Sequence, residues 1–335
     1  MISMDLDKKM DWWRKAKFGM FIHFGLYSMN NKWIKKNFKK HLIRHRNYSE
    51  WIMNTKNIPD SKYNKLAAIF NPVKFDAQKW VKTAKNTGMK YIIITSKHHE
   101  GFSLFDSKLT EYTVMQTPFK RDVIKELALA CKKESIKFGI YYSILDWHQS
   151  IKPATMARTK NFPKYEAFMI GQLKELITNY HPSILFSDGD WIPQWNRKRG
   201  RNLEEFCRKL DPKIIINNRI GKRSWLNYLP ILQQLTPNSN FGDYETPEQF
   251  IPNNIPKRDW EVNMTMNDSW GYKKSDNNWK SSKTIIEYLK YIISHNGNFL
   301  LNVGPDGNGE IPRPCLKILI EIGHWVKTSG TNYFK

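Results

Sequence analysis

The chain has 335 residues, enough to bury a sizeable core, and a formal net charge of +23, which attracts polyanions non-specifically at low salt. No nucleic-acid fold motif accompanies the densest basic stretch, Lys35 to Arg46, so a dedicated nucleic-acid protein is disfavoured, and no run approaches transmembrane length. Three cysteines, Cys131, Cys207 and Cys315, lack metal-like spacing and imply no disulfide framework.

In chain order, MISMDLDKKMDWWRKAKFGM has no apolar leader core, so a cytoplasmic location is expected for the chain as it stands, or a secreted or lysosome-like one if a leader was removed. FGMFIHFG then reads as a strand ending near His23. The irregular stretch Asn30 to Ser49 follows, with Glu50 and Trp51 just beyond it. FDAQKWVKTAKNTGM has helical spacing and precedes KYIIITSKHHEGF, a strand ending at His98 and His99. RDVIKELALACKKESI is a second helix, with Cys131 as a buried small hydrophobe. KFGIYYSILDW carries Tyr141 and ends near Asp146, and YEAFMIGQLKELITNY is helical. The apolar run 183–186 of SILFSDGDW ends in Asp188. NLEEFCRKL and PKIIINNRI come next, the latter closing on Arg219. A second irregular stretch, Leu235 to Arg258, holds Glu245 and Glu248. Glu261 opens the strand-like WEVNMTMN, and a helix, SSKTIIEYLKYIISHNG, separates it from a last strand, NFLLNVG.

Strands alternating with helices through short connections predict an α/β chain with a mostly parallel sheet. Seven or so such units favour a (β/α)8-like TIM barrel, possibly irregular, as one domain over residues 1–335. An open doubly wound sheet is the alternative, disfavoured because no glycine-rich phosphate loop follows the first strand. Five apolar runs deliver polar groups at their C-terminal ends, which is where a barrel keeps its chemistry, so one shared pocket is expected. Aromatics reach 14% with 13 Trp, and such faces stack well on sugar C–H surfaces. His98, His99 and Glu100 offer metal-ligand types. On a strand, however, the two histidines would point to opposite faces, and no zinc spacing is present, so no metal is expected.

The segments WWRKAKFGMFIHFGLYS, KHHEGFSLFDS, NRIGK, GDYETPEQ, NDSWGY and GNFLLNVGPDGNGEIP, in this order, resemble the α-L-fucosidases of glycoside hydrolase family 29. The resemblance implies an exo-acting retaining hydrolase that removes terminal α-L-fucosyl residues from glycoconjugates by double displacement, without metal or organic cofactor. The substrate would be a fucosylated glycan or a small fucoside. Asp188 takes the nucleophile position, with Asp190 its nearest competitor; Glu248 takes the acid/base position, with Glu245 and Glu261 as rivals. His23, Glu50, Trp51, His98, His99, Tyr141 and Arg219 match substrate ligands. Family members often carry Trp two residues before the nucleophile; here Phe186 can still pack against the fucose methyl but has no N–H to donate. The family commonly appends a β-sandwich, and this chain is expected to be the barrel without it. A catalytically silent carbohydrate-binding homologue and a basic polyanion-binding protein are the competing expectations.

Overall fold

The computed structural model describes residues 6–29, 48–149, 161–222 and 240–334, so the basic stretch 35–46 lies outside the described residues. Each apolar run forms a strand: β1 (Phe18–Ile22), β2 (Tyr91–Lys97), β3 (Lys137–Ser143), β4 (Ile184–Asp188), β5 (Ile215–Ile216), β6 (Glu261–Thr265) and β7 (Asn298–Val303). They pair in parallel in the order β5-β4-β3-β2-β1-β7-β6. β1, β2, β4, β6 and β7 are buried along their whole length, as a parallel sheet covered by helices requires.

The edge strands β5 and β6 are joined through residues 243–249. On one side Asp243 N donates to Ile216 O and Asn218 N to Tyr244 O. On the other, Glu261 N donates to Glu245 O, Asn263 N to Pro247 O and Gln249 N to Asn263 O. An irregular segment thus takes the eighth barrel position and carries Glu248 to the strands' C-terminal ends.

The principal helices are α1 (Leu6–Ala16), α2 (Ala77–Thr87), α3 (Val123–Glu134), α4 (Phe162–Tyr180), α5 (Arg197–Leu210), α6 (Ser282–Ser294) and α7 (Arg313–Lys327). Local chemistry sets their ends: the Asp76 side chain accepts from Lys79 N ahead of α2, which stops at Gly88 with φ 94°, and Asp122 caps α3 in the same way. α1 and α7 are additions to the helices expected from sequence. Met10 and Trp13 of α1 join Phe21, Tyr91, Ile93 and Leu300 in the barrel-interior cluster, so α1 plugs the end away from the strands' C-termini. Cys131 is buried on α3 as expected. Among the described residues the chain beyond α7 forms only a short turn, Thr331–Phe334, and no β-sandwich; no helix is long and apolar enough to cross a membrane.

Candidate active site

Asp188 is the last residue of β4, and the chain turns sharply after it. Gly189 has φ 86°, and a Cβ there would come within 2.6 Å of Leu145 N, so the turn needs glycine. Tyr141, from β3, donates to Asp188 Oδ2 at 2.9 Å, and Arg219 Nη1 donates to Oδ1 at 3.0 Å. Two donors suit an ionised, acceptor-only carboxylate. Arg219 is itself fixed by Thr246 Oγ1 at 2.9 Å and Thr246 O at 3.2 Å. The same Nη1 lies 2.8 Å from Glu248 Oε2, so one guanidinium nitrogen joins both carboxylates.

His23, Glu50, Trp51, His98, His99, Tyr141, Phe186, Asp188, Arg219 and Glu248 all line one pocket, together with Phe21, Trp191, Asn263 and Trp270. A larger hollow between α3 and α4, about 590 Å³, has no carboxylate in its lining and sits away from the strand C-termini. Convergent chemistry, not size, therefore picks out the site.

The histidines depart from the sequence expectation in one respect. β2 ends at Lys97, so His98 and His99 are not on a strand and do not face opposite ways; their rings lie 4.1 Å apart and both line the pocket. Among the described residues no group of three or more His, Cys, Asp or Glu is arranged to hold a metal ion. Hydrogen bonds fix two tautomers. Asn302 Nδ2 donates to Trp270 O at 2.7 Å, which leaves its Oδ1 to accept from His23 Nδ1 at 2.7 Å. Ser143 Oγ donates to Leu145 O and so accepts from His99 Nδ1 at 2.6 Å. Burial pushes His23 down to about 3 and His99 to about 4, so both rings are neutral and present Nε2 as an acceptor. His99 Nε2 is 3.8 Å from Asp188 Oδ2, so the two acceptors stand side by side in the pocket.

Glu50 is held on one side only. Its Oε2 accepts from Gly271 N at 2.9 Å and Ser269 Oγ at 3.2 Å, an approach that a Cβ at Gly271 would block by meeting Ser49 Oγ at 2.7 Å. Glu50 Oε1, His98 Nδ1 and Asn263 Oδ1 are buried and make no hydrogen bond among the described residues. Buried polar atoms are normally paired, so three such atoms in one pocket wall suit a polyhydroxylated ligand. Apolar surface completes the site: the Phe186 ring sits 5.0 Å from Phe21, and Trp51 stacks on Trp191 at 6.3 Å.

Several other sequence candidates lie elsewhere. Asp146 is buried against Lys97 Nζ at 2.7 Å, an ion pair that ties the end of β2 to the chain leaving β3. Asp190 is buried and does not line the pocket. Glu245 accepts from Asn218 Nδ2 and from Arg258 Nη1 at 3.0 Å. Glu261 opens β6 and so lies at the opposite end of the barrel, bonded to the Tyr91 hydroxyl. Asn263, Trp191 and Trp270 are pocket residues that the sequence reading missed. Trp191 and Trp270 stand in the DGDW and NDSWGY segments, whereas Asn263 sits mid-strand with no local signal.

These buried groups set a pH window for stability. Burial raises Glu50 to about 7 and both Glu100 and Glu261 to about 8. Each stays protonated in the fold while the unfolded chain releases its proton above the ordinary value of 4.5, so stability falls as pH rises through 7 and 8. His23, His98 and His99 are depressed, chiefly by burial. The unfolded chain takes up protons below 6.5 that the fold refuses, so stability also falls on acidification. The thermal midpoint is expected to be highest between about pH 4.5 and 6.5. A midpoint still rising at pH 8 in a calorimetric series would show that the three carboxyls are ionised in the fold.

Comparison with known proteins finds relatives along nearly the whole chain. A family model described as Alpha-L-fucosidase matches residues 2–331. The chain is 27% identical to an alpha-L-fucosidase of Dictyostelium discoideum over 96% of its own length and 71% of the relative's. It is 29% identical to the human plasma alpha-L-fucosidase over 98% and 70%. Among solved structures, alpha-L-fucosidase isoenzyme 1 from Paenibacillus thiaminolyticus superposes with a TM-score of 0.83 at 34% identity, covering 98% of this chain and 77% of that one. An alpha-L-fucosidase from Lactobacillus casei in complex with alpha-L-fucose gives 0.78 at 31%, covering 96% and 99%. With matches of this extent, the chain belongs to the alpha-L-fucosidase family of glycoside hydrolases.

Proposed function

We propose that Asp188 is the nucleophile and Glu248 the acid/base of this fucosidase, and that His23, Glu50, Trp51, His98, His99, Tyr141, Phe186 and Arg219 hold the fucosyl ring. The observation that carries the assignment is the shared Arg219 Nη1. With contacts of 3.0 and 2.8 Å, the two carboxylate oxygens can be no farther apart than those distances laid end to end. Retaining glycosidases set their carboxyls about 5–5.5 Å apart. Asp188 attacks the anomeric carbon as the bond to the leaving oxygen breaks, and Glu248 gives that oxygen its proton. Glu248 then takes a proton from the water that attacks the same carbon, and Asp188 is released. When Asp188 loses its charge in the covalent bond, Glu248 has just gained one, so Arg219 faces one negative charge throughout. The neutral His23 and His99 accept ring hydroxyls, while Phe186, Phe21 and Trp270 offer an apolar wall for the methyl group. The net charge of +23 contributes only non-specific attraction to polyanions.

One observation favours a second reading, with Glu50 as the acid: its carboxyl is raised to about 7 and its Oε1 has no partner among the described residues. Glu50 is nevertheless only 1% exposed, whereas the Glu248 side chain is 36% exposed and so better placed to meet both a leaving group and the incoming water. Glu50→Gln is expected to slow a nitrophenyl fucoside and a fucosylated oligosaccharide in equal proportion, by about tenfold or more, as loss of a hydroxyl contact does. A loss confined to the oligosaccharide would transfer the acid role to Glu50. Absence of aryl fucoside turnover in the unaltered protein would favour a silent, sugar-binding chain.

A further inference from the structure

A second cavity opens beside the first. Tyr48, Gln249, Thr265, Asn267, Asp268, Lys273 and Lys280 line it, and its volume is about 380 Å³ against about 80 Å³ for the catalytic pocket. The two draw on three common chain segments. Tyr48 stands two residues before Glu50, Gln249 directly follows Glu248, and on β6 Thr265 stands on the same face as Asn263, two residues nearer the strand's C-terminal end. The outer cavity therefore lies on the Glu248 side, in the direction a leaving group departs.

Its walls are built rather than incidental. Gln249 holds φ 62°, a left-handed conformation uncommon outside glycine, and is locked there: its N donates to Asn263 O, its Nε2 donates to Thr265 Oγ1 at 3.0 Å, and its Oε1 accepts from Thr265 N at 3.2 Å. This turn separates the Glu248 carboxyl, in the inner pocket, from the Gln249 amide in the outer one. Lys280 Nζ donates to Thr265 O at 2.8 Å and Asn267 O at 3.4 Å, two of its three hydrogens. Burial depresses its pKa, the mark of an ammonium poorly served by water. Asp268 is exposed and accepts from Asn278 Nδ2 at 3.0 Å; among the charged lining residues Lys273 and Lys280 are cationic and Asp268 anionic, and the carboxylates of Asp268 and of buried Asp276 both act on Lys280.

We propose that this cavity is the leaving-group subsite and that it takes a sugar bearing an anionic substituent, a carboxylate or a sulfate, on Lys273 and Lys280. The proposal rests on the reading of Glu248 as the residue facing the leaving oxygen. Its test compares kcat/KM for α-L-fucosyl-galactose, α-L-fucosyl-galacturonate and a 6-sulfated fucosyl-galactose, with nitrophenyl fucoside as the parent control. The acidic disaccharides are expected to be preferred over the neutral one roughly five- to tenfold at low salt, less at high salt. The ratio should fall towards one in Lys273→Ala and Lys280→Met; because it is taken within each variant, a general loss of activity cancels. Preference for one acid over the other names the source of the charge. Equal rates on acidic and neutral disaccharides, or a preference that survives both substitutions, would overturn the subsite assignment alone. Failure to cleave the nitrophenyl fucoside would overturn the parent reading and this one with it.

Discussion

Asp188→Ala is expected to lower turnover of an aryl α-L-fucoside by at least about a thousandfold, because removing a covalent nucleophile deletes the reaction path. The fold should survive. Arg219 keeps Thr246 and Glu248 as partners, and Tyr141 loses only one acceptor. The space left behind suits a small anion, and azide is expected to restore part of the rate. Azide would form its bond to the anomeric carbon from the face that Asp188 occupied while nitrophenolate leaves from the other, so the product should be the β-fucosyl azide. A variant that keeps more than about a tenth of the rate would place the nucleophile elsewhere. Asp190, buried just beyond Gly189, would be next.

The strands were the most legible part of the fold, for a physical reason. A parallel strand buried on both faces must be continuously apolar, and the runs ending at His23, Asp188 and Arg219 are short and bounded by polar groups. α1 was not legible because its buried face includes Lys9, whose ammonium is paired with Asp243 at 2.6 Å. No apolar periodicity reports such a residue. In α7 the buried positions Cys315, Ile318, Leu319, Ile322 and Gly323 do form a helical stripe, but Gly323 adds no apolar side chain to it and the apolar Ile320 is 71% exposed. The candidate site was legible where side chains follow an apolar run. It was illegible at Asn263, whose role depends on residues 243–249 bridging β5 and β6, a closure with no signature in the sequence. The same closure separates the three glutamates that sequence left as rivals: Glu248 enters the mouth, Glu245 turns to Asn218 and Arg258, and Glu261 lies at the far end.

That separation makes Glu248→Gln the decisive substitution for the acid/base role. The amide keeps the shape and can still accept from Arg219, but it has no proton to give and cannot take one from water. Nitrophenolate departs with little help from an acid, whereas a sugar alkoxide must be protonated as the bond breaks. The first step should therefore survive with the activated substrate and fail with the natural type of leaving group. The expected result is a loss of about a thousandfold on a fucosylated oligosaccharide and, under conditions where formation of the covalent intermediate limits the rate, about tenfold or less on the nitrophenyl fucoside. In the proposed mechanism the second step also needs Glu248, as base, so at saturating nitrophenyl fucoside, where breakdown becomes limiting, the covalent intermediate should accumulate and appear as a burst of nitrophenolate. Equal losses on both substrates, without a burst, would assign Glu248 a binding role through Arg219. Glu245→Gln and Glu261→Gln would then be compared in the same way, although Glu261 would have to act from the far end of the barrel, where it faces Tyr91 and not Asp188.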